Sequence, residues 1–307
     1  MRFIGFDTSN YTTSAALFAD AEMHSARRLL PVKAGEAGLR QSDAVFHHTA
    51  ALPELFDTLP DMTHAAAVGV SDRPRDAEGS YMPCFLTGVA AASCTAKALG
   101  APLYRFSHQA GHIAAALFSA GRTDLMDKPF LAFHVSGGTT EAVKVTPDKD
   151  KIIRAERVAE SLDLKAGQAI DRVGVMLGLP FPAGPALDAL SRQSDSEYRV
   201  KPFMRGGDCS LSGIQNQCQR MKAAGEPDRD IARYCIEAVG AALRGMTLEL
   251  RARFPGLPLL YSGGVTSNSL IRERFTEEFG AVFAAPGFSS DNAAGIAVLG
   301  TICSAAP

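Results

Sequence analysis

Pro129-Phe130-Leu131-Ala132-Phe133-His134-Val135-Ser136-Gly137-Gly138-Thr139-Thr140-Glu141-Ala142-Val143-Lys144-Val145 reads as strand, turn and returning strand. The unbroken apolar run to Val135 predicts a strand buried on both faces, and the small residues after it predict a tight turn. Ile152 to Val158 predicts a third strand. The N-terminus has the same order. Arg2-Phe3-Ile4-Gly5-Phe6-Asp7 is a buried strand, Thr8-Ser9-Asn10-Tyr11 a polar turn, Thr12 to Phe18 the return, and Met23 to Leu30 a third strand. Two copies of one three-strand meander predict an internal duplication.

Alternating helices and strands follow each copy. In the first half, Ala44 to Leu59 is amphipathic, with Val45, Leu52, Leu55 and Phe56 toward a core. A strand at Ala65 to Val70, a loop at Ser71 to Pro83, a small-residue helix at Cys84 to Leu99 and a strand at Pro102 to Phe106 come next. The polar stretch Gly121 to Lys128 predicts a boundary, giving lobes 1–125 and 126–307. In the second half helices are expected at Lys165 to Leu177 and around Asp188, with a short strand at Lys201 to Met204. Another helix should follow Cys209-Ser210-Leu211-Ser212-Gly213, and one long or two joined helices should fill Asp228 to Phe254. Leu257 to Ser262 is a strand, Thr266-Ser267-Asn268 caps a helix at 269–279, and Ala281 to Ala285 is a strand. The apolar helix Ala293 to Cys303 closes the chain, expected near a cleft between the lobes.

A chain of 307 residues, 46% hydrophobic and 21% charged, has an ordinary globular composition. The formal charge of -2 leaves no global basic field, although a local basic patch remains open. The six cysteines include no Cys-x-x-Cys pair and read as reduced thiols. No run approaches a membrane span and the chain opens directly on a strand, so a cytoplasmic protein with no membrane partner is expected.

Chemistry concentrates at Ser107-His108-Gln109-Ala110-Gly111-His112, where Ser107 is a helix N-cap. His108 and His112 share one helix face, a spacing that suits one metal ion and equally two hydrogen-bonded histidines. His47 and His48 are adjacent, point to different faces and make a poor metal pair. At the tip of the first strand, either the N–H groups and hydroxyls of the turn face nucleotide phosphates while Asp7 orients a metal or water, or Asp7 caps the turn of a plain hairpin. Gly137-Gly138 lets backbone N–H groups approach a phosphate or carboxylate. Strand, polar turn and return strand, duplicated, resemble the layout of the actin, sugar kinase and heat-shock chaperone class.

Six segments, in order across nearly the whole chain, resemble the TsaD family, also called Gcp. They are Phe3-Ile4-Gly5-Phe6-Asp7-Thr8-Ser9; His108-x-x-Gly111-His112; Val135-Ser136-Gly137-Gly138-Thr139-Thr140; Ala169-Ile170-Asp171-Arg172 with Phe181-Pro182-Ala183-Gly184-Pro185; Leu211-Ser212-Gly213; and Gly263-Gly264-Val265 with Asn268, followed by Ser290-Asp291-Asn292-Ala293-Ala294. The resemblance implies an α/β actin-like (ASKHA) fold of two duplicated RNase H-like lobes with mixed sheets flanked by helices. It implies one iron or zinc ion on His108, His112 and Asp291. It places an adenine nucleotide or acyl-adenylate on Val135, Ser136, Gly137, Gly138, Thr139, Asp171, Gly184, Asp188 and Asn268. Asp7, Ser9, Asn10, Gly263 and Gly264 fall on the phosphate side. The implied reaction moves a threonylcarbamoyl group from its adenylate to the adenine beside the anticodon of transfer RNA. It needs no Ser or Cys nucleophile, and no catalytic residue is assigned beyond the metal ligands. The implied partners are tRNA, a TsaB-like smaller homologue and a TsaE-like ATPase.

Ala110 stands where the family has Glu, Thr139 where it has His, and Ala183 where it has the first Gly of a Gly-Gly-Pro turn. The segment Ser71 to Tyr81 lacks the family's Gly-Pro-Gly loop. These departures keep two alternatives open: a carbamoyl or phosphoryl transferase acting on another acceptor, and a non-catalytic protein that binds metal and nucleotide.

Overall fold

Strand β1 (Arg2–Ser9) is the spine of the first unit. The computed structural model describes residues 1–9, 11–32, 39–285 and 292–305. β1 pairs antiparallel with β2 (Thr12–Ala19), which pairs antiparallel with β3 (Glu22–Leu29). On its other edge β1 runs parallel to β4 (Ala65–Arg73), and β4 runs parallel to β5 (Leu103–Ser107). The five-stranded order is β3-β2-β1-β4-β5. Helices α1 (Gln41–Asp57) and α2 (Phe85–Leu99) supply the crossovers, and α3 (His108–Ser119) follows β5. Gly100, at φ +64, ends α2 in the left-handed conformation that few other residues adopt cheaply.

The second unit repeats this order. β6 (Phe130–Val135), β7 (Thr140–Asp148) and β8 (Ile152–Glu160) form the meander, and β11 (Leu259–Ser262) and β12 (Val282–Phe283) extend it in the order β12-β11-β6-β7-β8. β11 is parallel to both β6 and β12. Between β8 and β11 lie α4 (Ala166–Met176), α5 (Gly184–Ser191), a ribbon of β9 (Phe203–Arg205) and β10 (Asp208–Ser210), α6 (Ser212–Ala223) and the 26-residue α7 (Asp228–Arg253). α8 (Ser269–Phe279) links β11 to β12. The expected duplication is therefore present in strand order. The ribbon strand β10 sits where a helix lead-in is expected, because Cys209 buries itself and bridges to Ser161.

Ile4, Phe6, Leu17, Val68 and Val70 pack with Leu52, Ala92 and Ala96 on one face of the first sheet. The other face is covered by α9 (Asn292–Ala305), through Ala16 against Ala293, Ala294 and Ala297. The division expected at residue 125 thus needs correction. The first unit comprises Met1–Lys128, the β7–β8 tip Thr146–Ala155 and α9, while the second runs over Pro129–Val145 and from Glu156 through β12. The reason is steric. A Cβ on Gly5 would lie 2.1 Å from the Ala293 carbonyl oxygen, so α9 lies directly on β1. A Cβ on Gly295 would lie 1.8 Å from the Gly111 carbonyl oxygen, so α9 and α3 touch backbone to backbone. In the second unit Phe133 stacks on Tyr261 at 4.5 Å, and α7 lays Ile231, Cys235, Val239 and Met246 into the core. Among the described residues no helix is long and apolar enough to cross a membrane.

Gly295→Ala should destabilise the chain by about 3 kcal/mol, since neither backbone can retreat from the added methyl. Gly300→Ala on the same helix meets open space and should gain up to about 1 kcal/mol of helix propensity. Denaturant midpoints of the two variants measure both effects.

Candidate functional site

Ser107 fixes where α3 begins. Its hydroxyl oxygen accepts the Ala110 N–H at 3.2 Å and its proton goes to Asp76 at 3.0 Å. Asp76 is held by Arg73 at 2.7 Å and Lys151 at 3.4 Å, which locks the loop after β4 onto the helix start. His108 and His112 then stand one turn apart, ring centroids 4.5 Å from each other. Phe85 meets His108 edge-on at 6.1 Å. Gly111 lets α9 come close: a Cβ there would lie 3.0 Å from Ile296 and 3.2 Å from the Asn292 carbonyl oxygen.

Asp7 is fully buried, and its Oδ2 lies 2.8 Å from His108 Nδ1 while Oδ1 accepts the Ser9 N–H at 3.0 Å. A carboxylate only accepts, so Nδ1 carries a proton, and whenever the ring is neutral its lone pair is on Nε2. Burial pushes the Asp7 pKa up, but the charge and hydrogen bond of His108, with help from Ser71 and Ser9, outweigh it and hold the carboxyl below its usual range. The Ser71 hydroxyl is buried near this carboxylate without closing a hydrogen bond of normal geometry.

The donor set fits a divalent ion of intermediate softness: an imidazole with its lone pair directed by a buried carboxylate, and a second imidazole on the next turn. Asn292 is buried at the start of α9, its carbonyl oxygen against Gly111, and among the described residues its Oδ1 has no hydrogen-bond partner. Among the described residues no three His, Cys, Asp or Glu side chains gather to hold a metal. Asp291 and Asn10 lie outside the described residues.

His48, read from sequence only as a poor metal partner of His47, is fully buried. Ala44, His48, Ala51, Leu52 and Leu55 form the buried face of α1, and Phe56 packs beside them on Phe6 at 5.1 Å, as expected, while Val45 is half-buried. His48 Nδ1 pairs with Thr13 Oγ1 at 2.7 Å, and Nε2 has no partner of normal geometry. Burial lowers its pKa to about 4, against the opposing pull of Asp7 and of the Ser9 carbonyl. Spacing could have found it, since His48 is four residues from both Ala44 and Leu52.

In the second unit, Ser136 N–H donates to the Thr139 carbonyl at 2.7 Å and Ser136 Oγ accepts the Thr139 N–H at 3.1 Å, closing the turn after β6. Among the described residues the N–H groups of Gly137 and Gly138 have no backbone partner, and both glycines are exposed. The N-terminus of α4 abuts them, with the Gly167 N–H on the Ser136 carbonyl at 3.1 Å. Val135 is buried, and its carbonyl oxygen would lie 2.3 Å from a Cβ on Gly263, which adopts φ +97. Gly264 opens the short helical turn that follows, facing free space. Asp171 Oδ1 accepts the Ala183 N–H at 2.8 Å, which ties α4 to the start of α5 beside Gly184. Asp188 takes the Asn268 amide at 2.9 Å and the Ser269 hydroxyl at 3.0 Å, while Asn268 Oδ1 caps α8 through the Ile271 N–H at 3.1 Å. Ala110 is buried and uncharged, and Thr139 is half-buried.

Two like-ordered mixed sheets flanked by helices define an actin-like α/β protein. Solved structures agree: the Acidaminococcus fermentans (R)-2-hydroxyglutaryl-CoA dehydratase component A has TM-score 0.56 at 14% identity over all of both chains. HypF from T. kodakarensis has TM-score 0.60 at 13% identity, over 98% of this chain and 47% of its own. The model of the TsaD family, tRNA N6-adenosine threonylcarbamoyltransferase, matches residues 62–298, and the chain belongs to that family. A tRNA N6-adenosine threonylcarbamoyltransferase of Thermus thermophilus is 29% identical over 97% of this chain and 91% of its own. That of a Streptococcus equi subsp. zooepidemicus strain is 33% identical over 76% of this chain and 69% of its own.

His48 makes the first unit acid-sensitive. Its folded pKa, about 4, lies below the unfolded value of about 6.5, so the unfolded chain binds more protons between them. Stability therefore falls as pH drops through that window, by about 3 kcal/mol at pH 4. His48→Gln should flatten this part of the profile, as measured by urea midpoints between pH 4 and 7.

Proposed function

We propose that this chain is a metal-dependent threonylcarbamoyl transferase, moving the threonylcarbamoyl group from an acyl-adenylate to the N6 amine of adenine beside the anticodon of tRNA. The observation that carries the reading is the buried Asp7–His108 pair, which aims one ligand of a two-histidine helix in a chain of this family. His108, His112 and Asp291 would hold the ion, iron or zinc, with Asp7 behind His108. When bound, such an ion supplies a Lewis acid for a carbamoyl oxygen.

The protein's own groups divide the remaining work. Asp7 keeps His108 in the tautomer with a free Nε2 and, being ionised, has no proton of its own to release to the imidazole at neutral pH. The Gly137 and Gly138 N–H groups, exposed beside the N-terminus of α4, suit the phosphate of an adenylate and its charge on departure. The second oxygen of Asp171 would accept from a ribose hydroxyl. Asp188 and Asn268 act as a mutually bonded pair that holds α5 against α8 and so shapes the nucleotide site. TsaB-like and TsaE-like partners and a cytoplasmic location belong to the same proposal.

A second reading is supported by Ala110 and Thr139, which remove two titratable groups the family carries. In it the metal and nucleotide groups serve a different acceptor.

Asp7→Asn should lower metal affinity about 10- to 100-fold, as expected for loss of an orienting carboxylate, and His108→Ala should lower it further. Chelator competition with elemental analysis reads this. Nucleoside mass spectrometry of tRNA from a deletion strain, with and without the chain restored, reads the activity. Unchanged modified adenosine in the deletion strain, despite metal bound by the purified protein, selects the second reading.

A further inference from the structure

Residues 195–205 cross the surface of the second unit with one side in and one side out. Tyr198, Val200 and Met204 are half-buried against the core. Tyr198 meets Tyr234 of α7 edge-on at 5.4 Å, and Met204 seats over Gly245, where a Cβ would lie 2.8 Å from its sulfur. The alternate residues Arg199, Lys201, Phe203 and Arg205 are exposed. This is the period of an extended chain, so the anchored residues force the others into one outward row. Asp195 and Glu197 begin the same row, and the cationic part lies beyond them.

Several surface arginines elsewhere in this chain are neutralised and others are not, and what marks this row is its unpaired cations at alternate positions around one exposed ring. Arg2, Arg28, Arg122, Arg192 and Arg244 each pair with a carboxylate. Among the described residues Arg199, Lys201 and Arg205 have no ion pair. Asp208 lies opposite Arg205 across the ribbon, but its carboxylate accepts the Glu160 N–H at 2.8 Å instead. Phe203, among the cations, is 65% exposed, and among the described residues no other ring packs on it. Beside the row is a cavity of about 500 Å³, lined by Lys201, Phe203, Gln217, Tyr234, Ser212 and Asp163, whose carboxylate is already taken by the Ser212 hydroxyl at 2.6 Å and the Leu211 N–H at 2.8 Å.

We propose that this edge binds single-stranded RNA, namely the unpaired loop of the tRNA acceptor. Unpaired cations meet successive phosphates, an exposed ring offers a base a stacking platform, and a cavity with amide and hydroxyl groups admits a splayed base. An acidic protein would satisfy the cations and leave the aromatic ring and the cavity unused. The inference rests on the reading of tRNA as acceptor, and it assigns a surface to that contact.

The test uses the full chain and a fluorescent anticodon stem-loop RNA, titrated at several salt concentrations. Arg199→Gln/Lys201→Gln/Arg205→Gln should weaken binding at least about tenfold and reduce the salt slope by about 2. Phe203→Ala should weaken it about tenfold with the slope unchanged. Thermal melts that match the wild type exclude misfolding, since all four side chains face solvent. A triple variant that binds with wild-type affinity or wild-type salt slope overturns the proposal, as does a wild type with no salt-dependent binding. Wild type that binds the RNA through this edge but, given threonylcarbamoyl-adenylate and a divalent metal, transfers nothing to the adenine amine with release of AMP defeats the transferase reading alone. Wild type that modifies tRNA, with the triple variant doing so at unchanged KM, defeats this surface alone.

Discussion

The carbonyl oxygen of Gly111 occupies the space in which any side chain at residue 295 would begin. That contact sets the depth at which α9 crosses α3, and α9 at that depth also presses on β1 beside Gly5. Three elements distant in sequence are thereby fixed to one another: the strand carrying Asp7, the helix carrying both histidines, and the helix that begins at Asn292. Side-chain packing alone would allow adjustments of an ångström or more. Backbone against backbone does not, which is the tolerance a group of positioned ligands requires.

Within that frame the buried carboxylate of Asp7 is stable only because His108 answers it. A lone ionised group with no exposure would neutralise itself by taking up a proton. His108 and the Ser9 N–H keep it charged, and the charge in turn fixes which imidazole nitrogen is free. The second unit uses no charge at the corresponding turn. After β6 the chain places two glycines where β1 places Thr8 and Ser9, and offers N–H groups in place of a carboxylate. The duplicated scaffold thus ends in an acidic tip in one copy and a donor-lined tip in the other.

The meanders, the histidine spacing and the N-cap at Ser107 were legible in the sequence, because strand period, helix period and cap chemistry are local. Three features were not. α9 is apolar around its whole circumference, so no periodicity says which sheet it covers, and only the close approaches at Gly5 and Gly295 decide it. His48 counts as polar in any hydrophobic pattern, yet its place between Ala44 and Leu52 buries it, with Thr13 satisfying one nitrogen. Asp7 reads from sequence as a group orienting a metal or water or capping a turn, and its bond to a histidine 101 residues away is a tertiary fact. Asn268 and Asp188 show the same limit: residue type suggested ligand contacts, whereas the fold also spends them on each other.

The crossing of α9 over the first sheet has a consequence for biosynthesis. Residues up to Lys128 leave the ribosome with one side of their sheet bare, its alanine-lined surface waiting for a helix near the end of the chain. At ordinary elongation rates that interval is roughly 10 to 35 seconds. The nascent first unit is therefore incomplete throughout synthesis of the second, open to holding factors, and closes only once α9 has been made.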